Sequence, residues 1–250
     1  MLKRLCATSA NQNKHNATFK MLMVGPPGIG KGTFTKSIAK YYNAHIIDTG
    51  KIIRDIYYSN KYKHDDGEYK QEIIEKIGHL MKTYNSYIPD EIIIPIILKH
   101  VKNIDPSYSI IFDGFPRTLS QIKLFYQEIN LILYLKGDYD LCILKQMNRI
   151  SCKNCGRIYS NLQSNDLPDL RPKTKNICDD CGLELVQRAS DTLENIDRKM
   201  EVYRQETLPM IDYLIQNERH LKSYNIIQHQ VQNGIKDIPY LIDIINDKLI

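Results

Sequence analysis

The sequence contains no tryptophan, only 12 glycines in 250 residues, and no aspartate or glutamate before Asp48. Long apolar runs are also missing. The longest, Ile92-Ile93-Ile94-Pro95-Ile96-Ile97-Leu98, holds a proline and falls far short of the roughly 18 residues a membrane-spanning helix needs. No membrane insertion is therefore expected. The low glycine count excludes a collagen-like fibre. The missing acids leave residues 1–19 basic through Lys3, Arg4 and Lys14, with Ser and Thr but no apolar h-region. That profile fits either an organelle transit segment or a short tail, and argues against a secretory signal. A cytoplasmic or mitochondrial protein is expected, not a secreted one.

What is present describes a globular chain. Hydrophobic residues make up 42% and charged residues 25%, which excludes a disordered protein. The length suits one large domain, or one domain carrying inserted subdomains. Lys and Arg outnumber Asp and Glu by 34 to 29, a net charge of +5. So mild a bias fits a small anionic ligand and gives no support for nucleic-acid binding.

Short apolar runs alternate with helical patterns. The run 20–24 ends at Gly25-Pro26-Pro27-Gly28, and a helical pattern then covers 31–42, with Phe34, Ile38 and Tyr41 on one face. Further apolar runs lie at 44–47, 109–112, 131–135 and 225–227, with helical stretches at 89–103, 118–128 and 139–148. This rhythm predicts an α/β fold with a parallel sheet. Residues 57–70 are polar and Tyr-rich, and predict a helical excursion with a loop. Residues 150–190 read as loop. From 192 to 217 the pattern is one long helix, which Pro209 is expected to bend or break.

The strongest catalytic signal is Gly25-Pro26-Pro27-Gly28-Ile29-Gly30-Lys31-Gly32-Thr33. It contains G-x-x-x-x-G-K between a predicted strand and a predicted helix, as a phosphate loop requires. Glycines let backbone N–H groups turn toward a phosphate, and the helix N-terminus adds partial positive charge. Lys31 can reach the outer phosphates of a nucleotide. The hydroxyl comes one residue late, at Thr33.

Four of the six cysteines lie within thirty residues, as Cys152-x2-Cys155 and Cys178-x2-Cys181, each pair followed by glycine. Cys-Gly turns point N–H groups at sulfur, and four thiolates suit tetrahedral Zn²⁺. Two disulfides are the main alternative. A nucleic-acid-binding ribbon is a further one, weakened by the near-neutral charge of this segment. Zinc there would replace a core that about forty residues cannot build alone.

The phosphate loop with its late hydroxyl resembles that of adenylate kinases and related nucleoside monophosphate kinases. Asp48-Thr49-Gly50-Lys51-Ile52-Ile53-Arg54, Tyr87-Ile88-Pro89-Asp90-Glu91, Asp113-Gly114-Phe115-Pro116-Arg117-Thr118 with Gln121, and Asn148-Arg149 before the paired cysteines resemble further landmarks in the same order. The resemblance implies a P-loop three-layer fold with a central parallel five-stranded sheet, inserted monophosphate-binding helices and a small zinc-ribbon-like lid. It divides the chain into a core (20–48, 82–148 and 191–250), a monophosphate-binding region (49–81) and a lid (149–190) after the tail (1–19).

The same resemblance assigns roles. Catalysis falls to Lys31, Arg54, Arg117, Arg149 and Arg188. The ATP site comprises Gly28, Ile29, Gly30, Lys31, Gly32, Thr33 and Arg149. AMP is bound by Thr49, Arg54, Ile88, Gly114, Arg117, Gln121, Arg188 and Lys199. Asp113, at the carboxyl edge of its predicted strand, holds Mg²⁺ through water. The implied partners are ATP or GTP and AMP, and the implied state is a monomer.

The sequence also departs from that pattern. Lys145 stands where an arginine usually packs on the donor base, Lys51 replaces an acid, and Ser190 replaces the first of two aspartates. Strict register puts Lys199, not Arg198, at a catalytic-arginine position; lysine keeps the charge but lacks the bidentate fork. Asn85, where glycine is common, suits a left-handed backbone. An active kinase is the expected function. A nucleotide-binding relative with weakened catalysis, acting through a partner, is the alternative.

Overall fold

Five short apolar segments pair as parallel strands: β1 (Lys20–Val24), β2 (His45–Asp48), β3 (Ile110–Asp113), β4 (Leu131–Lys136) and a fifth at Asn225–Gln230. The computed structural model describes residues 18–58, 69–125, 129–162, 170–221 and 224–249. Residues 1–17, most of the expected tail, and 59–68, most of the expected excursion, lie outside these.

The helices are α1 (Lys31–Tyr42), α2 (Thr49–Tyr58), α3 (Gln71–Thr83), α4 (Asp90–Lys102), α5 (Leu119–Phe125), α6 (Tyr139–Met147), α7 (Leu193–Val202), α8 (Leu208–Leu221) and α9 (Ile238–Lys248). Between α6 and α7 lie three short strands, β5 (Arg149–Cys152), β6 (Ile158–Ser160) and β7 (Leu185–Gln187). The strand at 225–230 is therefore β8. All five expected runs are sheet strands, and the sheet order is β2-β3-β1-β4-β8.

Residues alternate between the two faces of a strand. Leu22, Val24, Ile110, Phe112 and Ile132 pack on one face, with residues of α2, α3, α4 and α8. Met21, Met23, Ile111, Leu131, Leu133 and Leu135 pack on the other, with α1 and α9. Three layers result, and the strands read as near-continuous apolar runs because both faces are covered. Cys142 on α6 is buried in the second layer.

β1 lies between β3 and β4, the point where the connections change direction. Ligands of open α/β sheets bind there, outside the carboxyl ends of the strands. The loop after β1, Asp48 at the end of β2 and Asp113 at the end of β3 all fall on that edge, and Asp48 and Asp113 are register partners.

Three sequence expectations change. Pro209 does not break the long helix. α7 passes through a π-helical turn, Tyr203–Thr207, into α8, where Pro209 is the second residue. The wider turn shifts the hydrogen-bond register just ahead of a residue that has no N–H to give. The left-handed residue near 85 is Tyr84 (φ 53), capping α3 with its N–H on the Leu80 carbonyl at 3.1 Å. Finally, 150–190 is not all loop: β6-β5-β7 form an antiparallel sheet. Their short length and embedded cysteines hide them from periodicity. Among the described residues no helix is long and apolar enough to cross a membrane.

Candidate active site

The loop from Gly25 to Gly30 closes tightly over the end of β1. The Ile29 N–H donates to the Pro26 carbonyl at 3.3 Å, and the N–H groups of Thr33 and Phe34 turn back onto the Gly30 carbonyl at 2.9 and 3.2 Å. Gly28 adopts φ 88, and any Cβ there would collide with the Cys142 carbonyl oxygen of α6. Only glycine meets both demands. Ile29 is buried beside Gly25 and Gly137, and fixes the loop from beneath.

Lys31 folds back over this loop, its Nζ donating to the carbonyls of Gly25 at 2.7 Å and Pro26 at 2.9 Å. Burial pushes its pKa down to about 8; Asp113 opposes the shift, while Arg117 and Arg149 add to it. Asp113 faces the same loop: a Cβ on Gly32 would stand 3.6 Å from its Oδ2. Burial raises the Asp113 pKa, with Lys31 offsetting part of the rise and Asp48 adding to it.

Arg117 leaves the sheet edge after Gly114 (φ 94), where an added Cβ would lie 2.8 Å from its Nη2. Its guanidinium sits 5.1 Å from the Tyr87 ring centroid. The Arg117 N–H donates to Gln121 Oε1 at 2.8 Å, and its carbonyl accepts from the Thr207 hydroxyl at 2.9 Å. Thr207 in turn pairs with the Tyr87 hydroxyl at 2.8 Å. The π-helical turn thus buttresses Arg117 from both its carbonyl and its ring partner, a link no local sequence pattern signals.

On the acceptor side, Thr49 opens α2, and its buried hydroxyl has no hydrogen-bond partner among the described residues. Arg54 is exposed and folds back over Gly50, 3.0 Å from where a Cβ would stand. Gln121 is buried and already engaged at both ends, its Nε2 donating to Asp90 Oδ1 at 2.9 Å. Ile88 is half-buried against the first apolar layer.

The remaining cations gather around Asp191, whose side chain is 0% exposed. Arg149 grips it bidentately, Nε to Oδ2 at 2.8 Å and Nη2 to Oδ1 at 2.7 Å. Lys199 Nζ lies 3.7 Å from the same carboxylate and donates to the Ser190 carbonyl at 2.6 Å. Burial, then Arg149 and Arg54, lower the Arg188 pKa to about 10. Burial likewise brings Lys199 to about 8, against the pull of Asp191. Lys199 therefore faces the site, whereas Arg198 points away to the Thr83 carbonyl (3.2 Å) and Glu194. Asp191 as the shared buried counter-ion was not singled out from sequence; an acid three residues beyond Arg188 was the available signal.

A family model for adenylate kinase matches residues 23–219. The chain belongs to the adenylate kinase family. The adenylate kinase of Rickettsia africae is 36% identical over 197 residues, 77% of this chain and 85% of the relative. Those of Thermotoga neapolitana and Thermosipho africanus are 32% and 31% identical, over 77% of this chain and 84% and 86% of the relatives. As a member of the adenylate kinase family, the protein is a phosphotransferase with a phosphate group as acceptor, of the nucleoside monophosphate kinase class.

In this family member the four clustered cysteines meet. Cys152, Cys155, Cys178 and Cys181 place their sulfur atoms within 4.8 Å of one another. Two matching turns carry them. The Gly156 N–H returns to the Cys152 carbonyl (3.0 Å), the Gly182 N–H to the Cys178 carbonyl (2.9 Å), and both glycines have positive φ. Burial opposes ionisation of Cys178, but the Tyr159 hydroxyl and the amides of Asp180 and Cys181 outweigh it and bring its pKa to about 6. The nearest cross-pairs, Cys152–Cys181 and Cys155–Cys178, lie 3.4 and 3.5 Å apart, well beyond a disulfide bond. This donor set is compatible with zinc.

Proposed function

We propose that the protein is an adenylate kinase that transfers the terminal phosphoryl group of ATP to AMP, giving two ADP. The observation that carries this reading is the convergence of Lys31, Arg117, Arg149, Arg188 and Lys199 at one edge of the sheet, with Asp48, Asp113 and Asp191 among them. A site so rich in half-buried positive charge is complementary to the phosphates of two nucleotides. Phosphoryl transfer asks for this, because the reaction needs positioning and charge cancellation rather than a protein nucleophile. An oxygen of the AMP phosphate attacks the γ-phosphorus, and the bond to the β-bridging oxygen breaks, leaving ADP on the donor side.

The roles follow from position. Loop amides 28–33 and Lys31 hold the donor phosphates at the start of α1. Arg117, placed over the Tyr87 ring, and Arg149 and Arg188 at the lid ends neutralise the moving group. Arg54 clamps the acceptor phosphate, and the unpartnered Thr49 hydroxyl is free for the acceptor base. Gln121, engaged at both ends, supports this base site by fixing Arg117 and Asp90. Asp113 fits a site for Mg²⁺ held through water; with the nucleotide, Mg²⁺ neutralises charge on the donor phosphates.

We read residues 49–81 as the acceptor-binding region and 149–190 as a lid stiffened by zinc. β5 begins at Arg149 and ends at Cys152, while β7 ends at Gln187, immediately before Arg188. Arg149 and Cys152 thus stand at opposite ends of β5, and Arg188 follows the end of β7 that pairs with the arginine half of β5. Metal at one end would hold the arginines in register at the other.

The test is a panel with the purified full chain and Mg²⁺, using ATP and GTP as donors and AMP, CMP, UMP and GMP as acceptors. ATP with AMP is expected to give the highest kcat/KM. A preference for another acceptor by tenfold or more would overturn the AMP assignment.

A further inference from the structure

Lys199 is held differently from Arg149, with which it shares the Asp191 carboxylate. A guanidinium is planar and can lock onto a carboxylate in two places, as Arg149 does; an ammonium is a point charge on a four-carbon stem. Asp191 constrains Lys199 only loosely, because Arg149 grips both carboxylate oxygens at 2.7–2.8 Å while the lysine stands 3.7 Å away. One strong hydrogen bond, to the Ser190 carbonyl at 2.6 Å, leaves the head free to swing about that contact.

The missing constraint comes from the acceptor side. Lys199 Nζ lies 4.5 Å from the centroid of the Tyr84 ring, well inside cation–π range. Tyr84 is the residue that ends α3, and its left-handed backbone turns the ring back toward α7. The neighbouring contact reinforces the dock: Arg198 donates to the Thr83 carbonyl at 3.2 Å, so two consecutive residues of α7 hold the last two positions of the α3 terminus. A ring face is most attractive to a cation that has lost part of its water, and Lys199 is only 20% exposed.

We propose that Tyr84 is a positioning residue for Lys199, its ring aiming the ammonium into the site when the end of α3 is docked against α7. The proposal rests on the phosphate-binding role given to Lys199 above. It adds a residue outside the phosphate loop, the lid and the acceptor-clamping arginine. It also makes the aim of one site cation depend on where the acceptor-side helix sits. The aim of Lys199 is thereby linked to the acceptor side through this aromatic contact.

The experiment is a double-mutant cycle on the full chain, read by steady-state kinetics. Tyr84→Leu removes the ring and keeps the same backbone demand; Lys199→Met removes the charge. Tyr84→Leu is expected to lower kcat about tenfold, with KM for ATP within about twofold, and to have no further effect in the Lys199→Met background. Tyr84→Phe is expected to retain activity. The same fold-loss in both backgrounds would overturn the proposal, since the ring would then act through the fold rather than through Lys199. Lys199→Met with unchanged kcat would remove the role of Lys199 itself, and the proposal with it, while leaving the kinase assignment to the donor–acceptor panel. Stepwise ring fluorination of phenylalanine at position 84 keeps shape and fold intact: kcat is expected to fall with each fluorine, and a flat series would contradict the proposal.

Discussion

The sheet edge and the lid present functional side chains in opposite ways. At the edge, the phosphate loop rests on two apolar layers built from β1, β3 and β4 and their helices. Gly28, Ile29 and Lys31 are held by backbone contacts and by burial alone. In the lid, the apolar cluster consists of Ile150, Cys152, Tyr159, Cys178 and Leu185, with Cys181 packed beside it. Half of that cluster is the metal-compatible donor set. A region with a real core can place a lysine without help. On the proposed reading, a flap of about forty residues is stapled by metal so that its arginines are placed.

That contrast can be broken at several points. The largest effect is expected from Cys178→Ser. Structural zinc is worth on the order of 10 kcal/mol to a small site, so the variant should lose bound zinc by atomic absorption. It should also lose hydrogen-exchange protection in β5–β7 while β1–β4 stay protected. Metal content equal to wild type would remove the staple from the lid. Lys31→Ala should do the reverse, lowering kcat by about 10³-fold, in the range seen for lost charge stabilisation, with the melting temperature nearly unchanged. Wild-type-like turnover would end the assignment of the loop as the donor site.

Asp191→Asn tests the seam between the two regions. It leaves Arg149 and Lys199 without their shared carboxylate, and breaking a buried ion pair costs about 3 kcal/mol or more. Denaturant unfolding should shift by that amount. Urea curves that superimpose would show the ion cluster to be energetically idle.

The smallest expected effect is on pH dependence. Burial holds Lys31 and Lys199 near a pKa of 8. Their charged forms are the active ones, so activity present below about pH 8 is lost as pH rises through it. kcat/KM, which reports the free enzyme, should fall steeply because two protons leave. In Lys199→Arg only one leaves, and the descent should become shallower; unchanged steepness would mean that Lys199 does not titrate in the site.

The sheet and the phosphate loop were legible in sequence because both are local. A strand buried on both faces is a short apolar run, and the loop is a contiguous string ending at Lys31. The cysteine cluster was legible because its spacing carries the ligand set. What could not be read was pairing across the chain. Asp191 lies 42 residues beyond Arg149, and Thr207 lies 90 beyond Arg117. Tyr84 was hidden in another way. A left-handed backbone was expected one residue later, at Asn85, where glycine is common in the resembling family and asparagine tolerates it; the helix instead ends on Tyr84. The π-helical turn likewise went unread, since Pro209 signals a helix defect without specifying its form.

The central claim is tested most directly by following purified full-length protein with ATP, AMP and Mg²⁺ by phosphorus NMR. ATP and AMP should fall together, two ADP should form per AMP consumed, and no orthophosphate should accumulate. Orthophosphate release, or ATP and AMP left unchanged, would contradict it.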